Sequence, residues 1–177
     1  MTPQQVLDND SHQDISAHTD WLSSVAKGDI LEIGVRTGIS TAAFLRGLEK
    51  NGGRLYSMDI APDCEGAKNL TGHPLWLFRS GDSHAQTVID QVKSDLGEVD
   101  ILFLDGDHTY EGVKADLINY SPLVKSGGMI ICHDMCSGYD PDVRRAVYEF
   151  FETMPQKTSC TMTVVKSWVG LGYITVP

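Results

Sequence analysis

The chain has 177 residues, of which 41% are hydrophobic and 21% charged, and it carries a formal net charge of −10. That balance suits one domain with a core of its own, and no apolar run is long enough to span a bilayer. The acidic excess, with no Lys/Arg cluster to offset it, repels phosphate backbones, so neither nucleic acid nor a membrane is an expected partner. The polar start MTPQQVLDNDSHQD lacks the basic-then-apolar order of a secretion signal, and the expected location is the cytoplasm. Cys132 and Cys136 flank His133 and Asp134, but the spacing is not a zinc pattern and no second pair accompanies it. With Cys64 and Cys160 they are expected as buried or neutral thiols.

In chain order, residues 1–14 read as a loose or partly helical arm. Ile15, His18, Leu22 and Val25 recur at helical spacing, and Gly28 can stop that helix. A strand DILEIGV follows, then a helix over 39–50, a turn at NGG and a second strand, RLYSMDI. A short helix is expected over 63–70, then the strand PLWLFRS and a helix over 83–96. The fourth strand is VDILFLDGD, followed by a helix over 110–124 that stops at KSGG. GMIICHDM makes the fifth strand, and a helix over 141–151 starts on a proline. The tail CTMTVVKSWVGLGYITV offers two strands with no room for a helix between them, hence an antiparallel hairpin at a sheet edge.

Short, nearly continuous apolar strands alternating with helices predict a doubly wound α/β domain with a mostly parallel sheet covered on both faces. One domain is expected: an arm over 1–27, a core over 28–154 and a hairpin over 155–177. Ligands bind such a sheet at the carboxyl ends of its strands. Those ends are Glu32–Gly38, Asp59–Ile60, Ser80–Ser83, Asp105–His108 and His133–Asp134, each with a carboxylate close by. That is more acid than a phosphate site would want.

The first end does not follow the G-x-G-x-x-G spacing of a dinucleotide site. It reads G-x-x-x-G from Gly34 to Gly38, with Arg36 and Thr37 inside the turn, Ser40 just beyond and Glu32 before it. Asp59 ends the second strand, where an acid can accept both ribose hydroxyls of an adenosine. A solvated acid at a strand end is the plain alternative. Asp82 or Ser83 in SGDS can equally cap the next helix.

The pattern E-x-G-x-x-x-G resembles the first motif of class I S-adenosylmethionine-dependent methyltransferases. The stretch VDILFLDGDHTYEGVKADLINYSPLVKSGGMIICHDM, residues 99–135, resembles a branch of that family. The branch contains metal-dependent sugar and macrolide O-methyltransferases and cephalosporin-biosynthesis-like proteins. The likeness runs in order over residues 28–150 and implies a Rossmann-like fold. It also implies that the turn at Gly34, Arg36, Thr37, Gly38 and Ser40 wraps the methionine part of the cofactor, with Glu32 organising the turn. Asp59 would take the ribose, Ile60 the adenine face, and Asp82 with Gly81 and Ser83 the adenine amino group. Asp105 would border the cofactor as well.

Methyl transfer from a sulfonium is an in-line displacement, and a hydroxyl acceptor must lose its proton. A divalent cation held by carboxylates lowers the pKa of such a hydroxyl. Asp105 and Asp134 end adjacent strands and can converge on one ion; oxygen ligands alone suit Mg²⁺ or Ca²⁺. The branch commonly has two acids, or an acid and an amide, after the fifth strand, where this chain has His133–Asp134. A ligating His133 tilts the site toward Mn²⁺, Fe²⁺ or Zn²⁺; otherwise the metal is lost. The expected cation is Mg²⁺ or Mn²⁺. Asp107 or His108 is placed to take the proton, and His108 has the better-matched unperturbed pKa; it can also merely position. Trp76 and Trp168 are expected in the core, and Trp21 over the cleft.

The expected activity is thus methyl transfer from S-adenosylmethionine to a hydroxyl of a small molecule. Rivals are a methyltransferase-shaped protein that binds a ligand or partner without catalysis, an NAD(P)-linked oxidoreductase, and a glycosyltransferase that reads DGD as D-x-D. A homodimer sharing its N-terminal helices would help enclose the cleft.

Overall fold

A computed structural model describes residues 1–10, 13–154 and 159–177. Seven strands form one sheet in the order β3-β2-β1-β4-β5-β7-β6. They are β1 Gly28–Ile33, β2 Gly53–Asp59, β3 Trp76–Ser80, β4 Val99–Leu104, β5 Val124–His133, β6 Thr161–Val165 and β7 Leu171–Thr175. The first five are parallel; β7 runs antiparallel to β5, and β6 antiparallel to β7. The chain moves outward from β1 to β3, then returns to place β4 on the other side of β1. The crevice between β1 and β4 is therefore the topological switch point, where this sheet type binds ligands.

The helices are α1 Pro3–Asp8, α2 Gln13–Ser16, α3 Thr19–Val25, α4 Ile39–Asn51, α5 Glu65–Leu70, α6 Gln86–Leu96, α7 Tyr110–Tyr120 and α8 Pro141–Thr153. Side chains alternate across each strand, so every strand supplies both faces. Leu31, Ile33, Met58, Leu102, Leu104 and Ile130 meet Ile89 and Val92 of α6, Leu117 of α7 and Ala146 of α8. Ile30, Leu55, Ile101, Phe103 and Ile131 meet Leu22 of α3, Phe44 and Leu48 of α4 and Leu70 of α5. The doubly wound sheet and its terminal antiparallel hairpin are as the sequence predicts. No helix among the described residues is long and apolar enough to cross a membrane.

Four local readings need correction. Helix α7 ends at Tyr120 rather than Val124. Pro122 cannot continue an α-helical ladder, and a 3₁₀ turn at Ser121–Leu123 follows. KSGG is no helix stop but a bulge in β5, where the register shifts between Val99↔Val124 and Ile101↔Met129. Gly127 donates to Val176 O and Gly128 O accepts from Val176, both at 2.9 Å, so the residue after β7 satisfies the bulged backbone. The helix expected from Ile15 is split into α2 and α3 at His18. Trp168, expected in the core, is 65% exposed in the β6–β7 turn. All four cysteines are free thiols, with Cys132 and Cys160 buried. Of the expected arm and hairpin units, residues 11–12 and 155–158 lie outside the described residues.

Candidate active site

A cleft of about 760 Å³ opens at the carboxyl ends of the central strands. Gly34, Arg36, Thr37, Ser40, Asp59, Ile60, Gly81, Asp82, Ser83, Asp105, Asp107, His108, His133 and Asp134 all line it. Glu32 and Gly38, also expected at the site, do not.

Both glycines of the opening turn are needed by the protein's own packing. A Cβ on Gly34, at φ +95°, would sit 2.0 Å from the carbonyl oxygen of Asp105. One on Gly38, at φ +85°, would sit 2.6 Å from the Cα of Gly66 in α5. The turn can thus lie close to β4 and α5 only with glycine at these positions. Between them Arg36 adopts φ 46°, an uncommon conformation for a residue with a side chain, and pairs with Asp14 of α2 at 3.7 Å.

Glu32 lies beneath this turn, fully buried. Its carboxylate accepts from Ser40 Oγ at 2.6 Å, Thr41 Oγ1 at 2.8 Å and Ser57 Oγ at 2.5 Å. Burial pushes its pKa up to about 7, against the pull of these hydroxyls. Glu32 therefore ties β1 to β2 and α4 from below. Asp59 holds the same turn from the side. Its Oδ2 accepts from the backbone N–H of Val35 at 2.8 Å and of Arg36 at 2.9 Å, and its Oδ1 from Ala61 N–H at 2.8 Å. Ile60 beside it is 76% exposed at the cleft wall.

At the other end, β4 and β5 bring two acids and two histidines together. His133 Nδ1 lies 3.2 Å from both Asp105 Oδ1 and Asp134 Oδ2. His108 Nε2 lies 3.4 Å from the same two oxygens, and its Nδ1 lies 3.8 Å from Asp140 Oδ1. Burial opposes charge on His133, yet hydrogen bonds to Asp105 and Asp134 raise its pKa to about 10. His108 is also raised, chiefly by its hydrogen bond to Asp105. Burial pushes the Asp105 carboxyl up, but the two imidazoles outweigh it and hold the group below the usual carboxylate range. Asp134 is buried at φ 60°, a strained conformation of the kind that gathers at functional sites. One ligand atom each from Asp105, His108 and Asp134 fall within 4.8 Å of one another, a grouping able to hold a metal ion. His108, expected as a base, joins the two acids in this trio, and His133 Nδ1 lies closer still to the same two oxygens.

Asp107 is occupied locally. Its Oδ1 accepts from Thr109 N–H at 2.8 Å, and a Cβ on Gly112 would sit 2.2 Å from its Oδ2. The DGDHTYEG run is thus a turn and helix start: Thr109 caps α7 through Gly112 N–H, and Gly112 leaves room for Asp107.

The family described as "Methyltransferase domain" matches residues 31–135, more than half of the chain. The chain belongs to the methyltransferase-domain family. The methyltransferase also resembles solved structures. One is the O-methyltransferase from Bacillus cereus in complex with SAH: 20% identity, 99% of this chain and 90% of that one, TM-score 0.75. Another is the SAH-bound methyltransferase PaMTH1 from Podospora anserina: 15% identity, 99% and 86% covered, TM-score 0.70. A third is MycE of the mycinamycin biosynthetic pathway, in complex with Mg, SAH and mycinamycin VI: 17% identity, 91% and 49% covered, TM-score 0.68. At these identities the likeness is one of fold. No curated protein matches the sequence. A methyltransferase with a Rossmann-like fold, as expected from the motifs, is what is found, rather than either enzymatic rival.

Several lining residues of the methyltransferase escaped the sequence. Ser137, Tyr139 and Asp140 follow β5, Val169 sits in the β6–β7 turn, and Asp14 and Ile15 come from the arm. Asp140 had a faint signal, an acid directly before the proline that opens α8. Trp21, expected over the cleft, instead packs on Tyr173, with ring centroids 5.1 Å apart. Asp14 and Ile15 hold the place expected of it.

Proposed function

We propose that this methyltransferase transfers a methyl group from S-adenosylmethionine to a hydroxyl oxygen of a small molecule, in the cleft between the Gly34 turn and Asp134. The observation that carries the reading is that one cleft joins two chemically different ends. The turn with Asp59, Ile60 and Asp82 suits an adenosine and its amino-acid tail; the Asp105–His108–Asp134 trio suits an acceptor that must lose a proton. S-adenosylmethionine, when bound, supplies an electrophilic methyl on sulfur.

The trio supports a divalent cation. Two carboxylate oxygens and one imidazole nitrogen, at one side of an open cleft, form a donor set for Mn²⁺ or a related ion, and Mg²⁺ is the all-oxygen alternative. A cation held there would lower the pKa of the acceptor hydroxyl. Asp105 and Asp134 are its main ligands in this reading. His108 Nε2 takes one of two roles: ligand when a cation is present, proton acceptor when none is. Asp107 is the poorer base, because its carboxylate already serves Thr109 and packs on Gly112. His133 and Asp140 orient the trio from two sides. Ile60 and Tyr139, both exposed at the cleft, give the adenine and the acceptor apolar surface to lie on.

The test is calorimetric titration of S-adenosylhomocysteine into the protein, first with chelator, then with Mg²⁺ or Mn²⁺, with NADH as control. The reading expects S-adenosylhomocysteine to bind and NADH not to, with added heat from the cation that His108→Ala removes. Absence of S-adenosylhomocysteine binding under every condition would overturn it and leave a non-catalytic member of the family.

A further inference from the structure

Within the stretch LDGDHTYEGVKADL, the acid Asp116 is used by none of the roles above. It sits on α7, at the wall of a small cavity that Asp105, His108 and His133 also line, and is only 2% exposed. A carboxyl so buried persists only when other groups satisfy it. Its partners belong to one loop, Gly81–His84 between β3 and α6. Ser83 pulls its pKa down, but burial outweighs that and lifts it to about 6. His84 Nε2 lies 3.3 Å from Asp116 Oδ1, and neither atom has a hydrogen-bond partner among the described residues. Tyr120, one turn further along α7, donates to the Ser83 carbonyl at 2.7 Å. His84 is in turn joined to Asp82, whose Oδ1 accepts from His84 N–H at 2.9 Å and lies 3.7 Å from its Nδ1.

The loop that this helix grips is the adenine end of the cleft. We propose that Asp116 is a positioning residue: through His84 and Ser83 it sets the Gly81–His84 loop at the place where Asp82 meets the adenine amino group. This rests on the reading of the cleft as an S-adenosylmethionine site. It explains the length of the motif, since one strand–turn–helix unit then builds both ends: Asp105 and His108 at the methyl, Asp116 at the base. The plain alternative is that Asp116 only fastens α7 to the loop for stability.

A comparison of two ligands separates these. S-adenosylhomocysteine and S-inosylhomocysteine, in which a carbonyl oxygen replaces the adenine amino group, are titrated calorimetrically into the wild type, Asp116→Asn, Asp116→Ala and His84→Gln, with melting curves as a check on folding. The wild type is expected to prefer the adenosyl ligand about tenfold, the worth of one good hydrogen bond. In Asp116→Ala and His84→Gln that preference falls toward one. Asp116→Asn, which keeps an oxygen able to face His84, retains part of it. Folded variants with an unchanged preference, even at lower melting temperature, overturn the proposal. So does a wild type that binds S-adenosylhomocysteine without discriminating, while the methyltransferase reading stands. A wild type that binds neither ligand overturns both. His84 is partly exposed, so His84→Gln keeps the test open if the Asp116 variants fail to fold.

Discussion

The two ends of the cleft are built on opposite principles. At the β1–β2 end, the acids are met by neutral donors of the protein itself: Asp59 accepts three backbone N–H groups, and Glu32 accepts three hydroxyls. At the β4–β5 end, Asp105 and Asp134 are met by two imidazoles, His108 and His133, whose pKa values they raise. The first end is a rigid frame already close to satisfied. The second is a concentration of negative charge balanced by imidazoles, and it has the greater demand for a cation. In the proposed function, binding and chemistry are separated along one cleft, so substitutions at the two ends should separate as well.

The largest effect is expected at the charged end. Asp134→Asn removes one carboxylate of the trio while keeping its shape. Methyl transfer should fall by about 100-fold or more, in keeping with the several kcal/mol that a charge-stabilising group supplies. Affinity for S-adenosylhomocysteine should stay within about twofold. A parallel loss of both would mean that the two ends are not separate.

Next comes the frame. Glu32 has a folded pKa of about 7 against an ordinary value of 4.5, so the folded protein holds a proton that the unfolded chain has released between those values. Its contribution is fully favourable below about 4.5 and is lost as pH rises through about 7. The loss is on the order of 3 kcal/mol. The melting temperature of the wild type should therefore drop, relative to Glu32→Gln, as pH rises from 5 to 8. Parallel curves for the two proteins would show that Glu32 is ionised in the frame at no cost.

The smallest effect is expected from Asp59→Ala. Loss of its bonds to Val35 and Arg36 loosens the turn and removes the proposed ribose acceptor. S-adenosylhomocysteine should bind about tenfold more weakly, with the cation's own affinity unchanged. Weaker cation binding in this variant would join the two ends again.

The fold was readable because each of the five parallel strands is a short apolar run with an acid at or near its end, a pattern that local sequence carries by itself. The site was readable to the extent that it sits at those strand ends. What stayed hidden depends on contacts between distant segments. The need for Gly34 comes from the carbonyl of Asp105 on a neighbouring strand, and no local pattern reports that approach. KSGG looks like a helix stop, yet Val176 pairs with its backbone and makes it a bulge. Asp140 and Asp14 reach the cleft only through the packing of α8 and the arm. His108 and His133 could be placed at strand ends from the sequence, but which of them completes the trio with the two acids is a matter of side-chain geometry.

The most direct test of the two-ended cleft is a crystal structure grown with S-adenosylhomocysteine and Mn²⁺, with anomalous scattering to locate the metal. The account predicts adenine between Ile60 and Asp82, ribose at Asp59, sulfur toward Asp105, and an anomalous peak among Asp105, His108 and Asp134. Ligand density elsewhere, or manganese at the Asp59 end, would contradict it.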